Sequence, residues 1–290
     1  MLKYQKKMLM LFILPAVVIV FALLVVPFAF ELKMSFTNYD ILKKTNDFIG
    51  LDNYIKLFSD TDFYLALGRN ILYVIINVGF NFIIGFGMAY VCYQKFRGNK
   101  VVRFIIVLPM LLIPSAAAVL WKFLYNYDIG VINKVLKSIH IPAIPFLISH
   151  KLSLISIIFT DIWAWVPWMF LILLAGMEQL EKAPLESARV DGVTTFQLII
   201  HVMIPMMAPV IGVALSLKAI ETFRTFDYVW VMTQGGPGKS SDILSTFVFK
   251  HAFTNLKIGY SSAMAIAILV IALLLSFFIV KRFIIKRDVE

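Results

Sequence analysis

Six runs of apolar residues, each long enough to cross about 30 Å of hydrocarbon as a helix, set the frame of this sequence. They fall at about 8–30, 71–93, 104–124, 152–176, 203–223 and 261–285. With 61% of 290 residues hydrophobic and 15% charged, a water-soluble core cannot cover so much apolar surface, so lipid must be the solvent for most of it. The pattern predicts an all-α polytopic membrane protein, one domain over 1–290 with six transmembrane helices. Lys3, Lys6 and Lys7 precede the first run as they would in a secretory signal. That run is too long for a signal and no small-x-small cleavage site follows it, so it is read as an uncleaved first span.

The net charge of +10 is gathered at the ends of apolar runs and not on one face, which excludes nucleic acid as a partner. Besides the N-terminal lysines, the tight 94–103 turn holds Lys95, Arg97, Lys100 and Arg103, and the C-terminal end holds Lys281, Arg282, Lys286 and Arg287. Six crossings put all three clusters on one side, with both termini cytoplasmic. The outer segments are then about 31–70, 125–151 and 224–260. The single cysteine, Cys92, excludes an intrachain disulfide and a Cys-based zinc site, and reads as a small buried hydrophobe. Pro15, Pro27, Pro109, Pro114, Pro167, Pro205 and Pro209 lie in or at the spans, where each favours a kink. Gly79, Gly85 and Gly87 allow close helix approach in the second span.

One inner segment breaks the charge rule. Between residues 178 and 201, Glu178, Glu181, Glu186 and Asp191 outnumber Lys182 and Arg189. Within it, "APLESARVDGV" has Pro184 suited to a first helical position and Gly192 suited to the left-handed residue that stops a helix. A second short helix follows from Thr194. A polar helix–turn–helix along the inner face has no use in lipid but fits a soluble partner; a plain interfacial loop is the alternative.

"ESARVDGVTTFQLIIHVMIPMMAP" resembles the coupling-loop signature of ATP-binding-cassette importer permeases, Glu-Ala-Ala-x-x-Asp-Gly-Ala, a spacer, then Ile-x-Leu-Pro. Glu186, Ala188, Asp191, Gly192 and Pro205 fall in register, while Ser187, Val193, Val202 and Ile204 depart from the pattern. "LFILPAVVIVFALLVVPFAFELKMSFTNYD", "FIGLDNYIKLFSDTDFYLALGRN" and "FDYVWVMTQGGPGKSSDILSTFVFKHAF" are similar to segments of the maltose-type carbohydrate permeases, so the resemblance covers nearly the whole chain. It implies a type I importer fold and a bacterial cytoplasmic membrane. The implied partners are a second homologous permease, two ATPase subunits that bind ATP and Mg, and an extracytoplasmic solute-binding protein. It implies no cofactor in this chain, a carbohydrate substrate with an oligosaccharide favoured, and Glu186, Ser187, Ala188, Asp191 and Gly192 as the coupling residues within a loop at 178–202. "GPGKS" at 236–240 lacks the first glycine of a phosphate-binding loop, since position 233 is Thr233, and it has no strand–helix context.

Ionisable residues inside spans are functional candidates. Asp161 lies about 12 Å into the fourth span and Glu221 about 25 Å along the fifth, both in the outer half. Asp161, Trp165 and Trp168 share one helical stripe, and Glu221, Thr225 and Tyr228 share another. Aromatic faces with acids and hydroxyls suit sugar rings, so Asp161, Trp165, Trp168, Glu221, Thr222 and Thr225 are the candidate substrate contacts. The competing readings are an interfacial tryptophan belt, to which Trp163 is assigned, and an ion pair of Glu221 with Lys218 or Arg224. His201 reads as a membrane-edge residue. Two rival functions stay open: a permease for glycerol-phosphate-like polyols, using Lys218 and Arg224, and a membrane enzyme using Asp161 and Glu221 as an acid–base pair. The topology is testable directly. Cysteines at Asn46 and Ser240 should react with an impermeant label from outside and one at Gly98 should not; outside labelling at Gly98 would overturn it.

Overall fold

A computed structural model describes residues 2–283 of the chain, with side chains from Phe12 to Leu274 and at Phe277. The side chains of Lys3, Lys6, Lys7, Lys281, Arg282, Lys286 and Arg287 lie outside those described. The first helices are α1 (Leu2–Ser35), α2 (Asp52–Phe58) and α3 (Thr61–Tyr93). Next come α4 (Asn99–Val107), α5 (Pro114–Leu124), α6 (Val131–Ser138), α7 (Ser153–Glu178), α8 (Lys182–Val190) and α9 (Thr195–Gln197). The last are α10 (Ile204–Met206), α11 (Ala208–Phe223), α12 (Asp227–Thr233), α13 (Leu244–Phe249) and α14 (Ile258–Phe283). Among the described residues there is no strand longer than an isolated bridge.

By length and composition, α1, α3 and α7 can each cross a membrane, and two bent helix pairs pass the same test, each as a broken span or a re-entrant loop. The apolar part of α14 described with its side chains, Ile258–Leu274, is shorter. The third expected span is thus not one helix at 104–124. Asn99–Leu111 and Pro114–Leu124 meet at 95°. The cause is Pro114, which forces Ile113 to φ −63°, ψ 139°, with Leu112 extended as well. The fifth expected span is likewise bent, by 77°, between Thr195–Met206 and the helices from Ala208. A π-helical stretch, Leu198–Met203, leads into Pro205 there, and Pro209 follows.

The described residues pack as two units. The first joins the chain up to Phe63 with Val248–Val270. In it α1 is apolar all round and exposed from Phe12 to Phe30, the pattern of a helix whose solvent is lipid or another chain. Asn53 donates to the Ser35 and Thr37 carbonyls at 2.9 and 2.8 Å, fixing the turn where α1 ends. At Gly259 a Cβ would lie 2.0 Å from the Thr37 carbonyl oxygen, so only glycine fits.

The second unit holds Tyr64–Phe247 and is built around α7. Two-thirds of the most apolar window of α7 is buried, against none for α1, which makes α7 the central helix of this unit. One core cluster gathers Tyr73, Ile157, Ile162 and Tyr228; the other gathers Cys92, Met169, Phe170, Leu173, Met177 and Met207. Cys92 is buried as expected. Of the three glycines expected to permit close approach, only Gly85 meets α7: its Cβ would stand 2.9 Å from Met169 Cγ and 3.2 Å from the Phe170 nitrogen. Gly79 and Gly87 have open space instead. Gly85→Leu should therefore destabilise the purified protein by about 1–3 kcal/mol, read as a lowered unfolding midpoint, while Gly87→Leu leaves it unchanged. Equal effects would show that α3 does not rest on α7 at Gly85.

Candidate functional site

Two places in the second unit gather exposed or unsatisfied polar groups. The first is the loop between α7 and α11. Helix α8 begins at Lys182, two residues before the expected start, so Pro184 sits at its third position. Leu185 is the anchor, 3% exposed, while Glu186, Ser187, Arg189 and Val190 face outward and Ala188 is half-buried. The helix stops as expected at Gly192, whose φ of +75° is left-handed, with the Val193 N–H donating back to the Ala188 carbonyl at 3.3 Å. Thr194 then caps α9 in a capping box with Gln197. Asp191 lies exposed at the C-cap.

This loop is braced from the neighbouring inner turn. Arg103 pairs with Glu178 at 2.8 Å and donates to the Cys92 carbonyl at 3.2 Å; Asn99 donates to the same carbonyl. One of the four acids of the segment is therefore neutralised within the chain. The other three, Glu181, Glu186 and Asp191, are exposed. A groove of about 580 Å³ runs beside α8, lined by Tyr93, Lys95, Glu178, Lys182, Glu186 and Arg189 among others.

The second place lies where α3, α7 and α11 meet. Asp161 is completely buried and so is Lys218, at 1%. The Lys218 ammonium stands 3.5 Å from Asp161 Oδ1 and donates to Glu221 Oε2 at 2.6 Å. It also lies 4.8 Å from the centroid of the Trp165 ring, within cation–π range. The Tyr73 hydroxyl donates to Asp161 Oδ2 at 2.9 Å. Glu221 is the outward edge of the group, its side chain 37% exposed. Of the two readings left open for Glu221, the ion pair with Lys218 forms here, and it extends to Asp161.

Asparagines continue the polar seam along α3. Thr222 donates to Asn77 Oδ1 at 3.2 Å, and Asn81 donates to the Asn77 carbonyl and Oδ1 at 2.9 Å each. Asn70 donates to the Phe223 carbonyl at 3.3 Å. All three asparagines are at most 1% exposed, yet Asn70 Oδ1, Asn77 Nδ2 and Asn81 Oδ1 have no hydrogen-bond partner, and Asp161 Oδ1 has only its ion pair. Leaving a buried amide atom unsatisfied costs about 1–3 kcal/mol, so this seam carries a polar cost inside the chain.

Asp161, Trp165, Glu221 and Thr222 are thus brought together. Trp168 packs against the second core cluster, nearer the Glu178 end of α7, and Thr225 is buried with its carbonyl accepting from the Ser245 hydroxyl. Lys218 joins them in the ion pair weighed for Glu221, while Tyr73, Asn70, Asn77 and Asn81 were not among the sequence candidates. Their signal is three amides at intervals of seven and four on one face of an otherwise apolar helix. Trp163 packs edge-on against Trp121 at 5.4 Å, joining the upper core cluster.

Apolar helices long enough to cross a membrane, a braced polar helix in the loop between two of them and a buried polar seam fit a membrane transport subunit. The chain belongs to the family of binding-protein-dependent transport system inner membrane components, whose model matches residues 81–287. It is 32% identical to a probable ABC transporter permease of Bacillus subtilis, YurN, over 94% of each chain. It is 30% identical to the trehalose/maltose transport system permease MalF of Thermococcus litoralis, over 96% of this chain and 94% of that one. Its fold superposes on a chain of a bacterial alginate ABC transporter, solved with an alginate-bound periplasmic protein, with TM-score 0.84 over 97% and 96% of the two chains at 23% identity.

The buried pair sets a stability prediction. Lys218→Met leaves the Asp161 carboxylate buried without its cation and should cost about 3–5 kcal/mol. The double variant Lys218→Met/Asp161→Asn should recover most of that loss in the unfolding midpoint. A double variant as unstable as the single would mean that the pair is not the source.

Proposed function

We propose that this chain is one of two permease subunits of an ATP-driven importer of a carbohydrate, an oligosaccharide in preference to a monosaccharide. It crosses the bacterial cytoplasmic membrane six times with both termini inside. A solute-binding protein delivers the sugar from outside, and two separate ATPase subunits hold ATP and Mg and perform the hydrolysis. The observation that carries the reading is α8: an exposed polar helix anchored by Leu185, stopped by a left-handed glycine and braced through Glu178. Glu186 would supply a charge-assisted contact to the ATPase, with Ser187, Ala188 and Asp191 completing the knob. The relatedness to a trehalose/maltose permease supports the sugar class.

Within the spans, Trp165 and Glu221 meet the sugar, with Asp161 acting through Lys218 to hold Glu221 in place. Thr222 and the α3 asparagines offer hydrogen bonds to hydroxyls, and Trp168 and Thr225 border the same path. The glycerol-phosphate alternative is disfavoured by Lys218, which two carboxylates already occupy. The membrane-enzyme alternative is disfavoured because both its acids are tied to that same lysine.

Reconstituted vesicles test both halves at once. Glu186→Ala and Gly192→Leu should insert normally yet abolish ATP-driven uptake; at Gly192 the left-handed backbone costs a side chain about 1–2 kcal/mol. Trp165→Ala should lose uptake while basal hydrolysis by the complex persists, because α8 is untouched. Normal uptake in Glu186→Ala and Gly192→Leu together would sink the coupling role, and normal uptake in Trp165→Ala would sink the sugar site.

A further inference from the structure

The charge and hydrogen-bonding inventory of the α3–α7–α11 seam says which sugars fit it. The charges are Asp161 and Lys218, both buried, and Glu221 at the exposed edge, two carboxylates for one ammonium. Lys218 is fully engaged: 2.6 Å from one carboxylate, 3.5 Å from the other, and covered by the Trp165 ring at 4.8 Å. A phosphate, sulfonate or uronate needs an uncommitted cation or several N–H donors once water is stripped away. Of the other cations close by in sequence, Arg224 is exposed one turn beyond Glu221, and Arg69 on α3 donates to the Asp242 carbonyl at 3.2 Å. What the seam has left over is neutral: the amide atoms Asn70 Oδ1, Asn77 Nδ2 and Asn81 Oδ1. Two of these three atoms are acceptors, which suit the O–H donors of a sugar, and a single amide N–H does not balance a full negative charge.

We infer that the Asp161–Lys218–Glu221 triad makes this a site for uncharged oligosaccharides that excludes anionic ones, with Glu221 as the specificity-determining group and Lys218 as its positioning residue. The inference rests on the sugar site proposed above. Glu221 presents a carboxylate edge to the path, so an anionic sugar meets like charge at the one ionised group it can reach.

The test is direct binding to the purified transport complex containing this chain, without the binding protein, so that delivery does not set the selectivity. Two probes are compared by equilibrium titration: a pool of neutral gluco-, galacto- and manno-oligosaccharides, and a pool of oligouronates of the same lengths. The neutral pool should bind at least tenfold more tightly. Glu221→Gln keeps a hydrogen-bond acceptor for Lys218 and removes the charge, and it should narrow that ratio at least fivefold through tighter uronate binding. Uronates that bind the unaltered complex as tightly as neutral sugars would overturn the inference and leave the sugar reading standing. A ratio that Glu221→Gln does not change would remove Glu221 from the selectivity. Binding of neither pool would overturn the sugar reading and the inference with it.

Discussion

A buried ammonium group must be paired, and Lys218 meets that requirement across two helices. Its 2.6 Å bond to Glu221 lies within α11, one turn along, whereas its 3.5 Å contact to Asp161 reaches across to α7. Tyr73 adds α3 by donating to the other oxygen of Asp161. Three helices are thus joined at one point by charge and hydrogen bonds, in surroundings where unpaired charge is costly. A hydrophobic contact of the same size would fix distance loosely; a paired charge fixes which residues must face one another. The orientation of Trp165 and Glu221 follows from that constraint.

The Glu178 end of α7 repeats the arrangement in a more exposed setting. The Arg103 and Glu178 side chains are 31% and 41% exposed, so their pair contributes little to stability on its own. Its value is geometric: together with Asn99 it closes the end of α3, the start of α4 and the end of α7 around the Cys92 carbonyl. Four residues later α8 begins on that platform. Leu185 is its one buried side chain, and Ala188 packs with it against the core cluster that holds Leu198 and Met203. Its position is therefore set by that packing together with the elements that flank it.

Helix class and lipid solvent were legible in the sequence because length and apolarity alone decide them. The stop at Gly192 was legible too, since few residues but glycine take a left-handed backbone cheaply. The two bends were only half legible. Pro109, Pro114, Pro205 and Pro209 marked where ladders break, but a proline does not say whether a helix kinks slightly or turns through 95°. Gly79, Gly85 and Gly87 looked equivalent in the run, and only packing against Met169 and Phe170 separates Gly85 from the others. In the site, Asp161 and Glu221 stood out as lone charges in apolar runs. Lys218 was visible as a neighbour of Glu221 at i−3, yet its second partner sits 57 positions away in sequence, at Asp161, and no periodicity links them. The α3 asparagines were overlooked because amides carry no charge and single ones are ordinary in bundles; their shared face matters only once α11 is seen against it.

The two places are linked by covalent continuity. Asp161 and Glu178 are on one helix, 17 residues and so about 25 Å apart. On the other side of α8, the chain passes through α9, the π-helical stretch and the bend at Met207 before it reaches Lys218 on α11. The helix that carries Glu186 is therefore flanked, in sequence, by the two helices that the buried pair joins. A relative tilt of α7 and α11 changes the 3.5 Å contact first, because the 2.6 Å bond is internal to α11 and moves with it. Lys218 keeps one carboxylate through such a tilt, so the desolvation cost of opening falls on Asp161. The Tyr73 hydroxyl, held on α3, is what remains to Asp161 in that event. The asymmetry of the two lysine contacts lets α7 and α11 separate without stranding a buried cation.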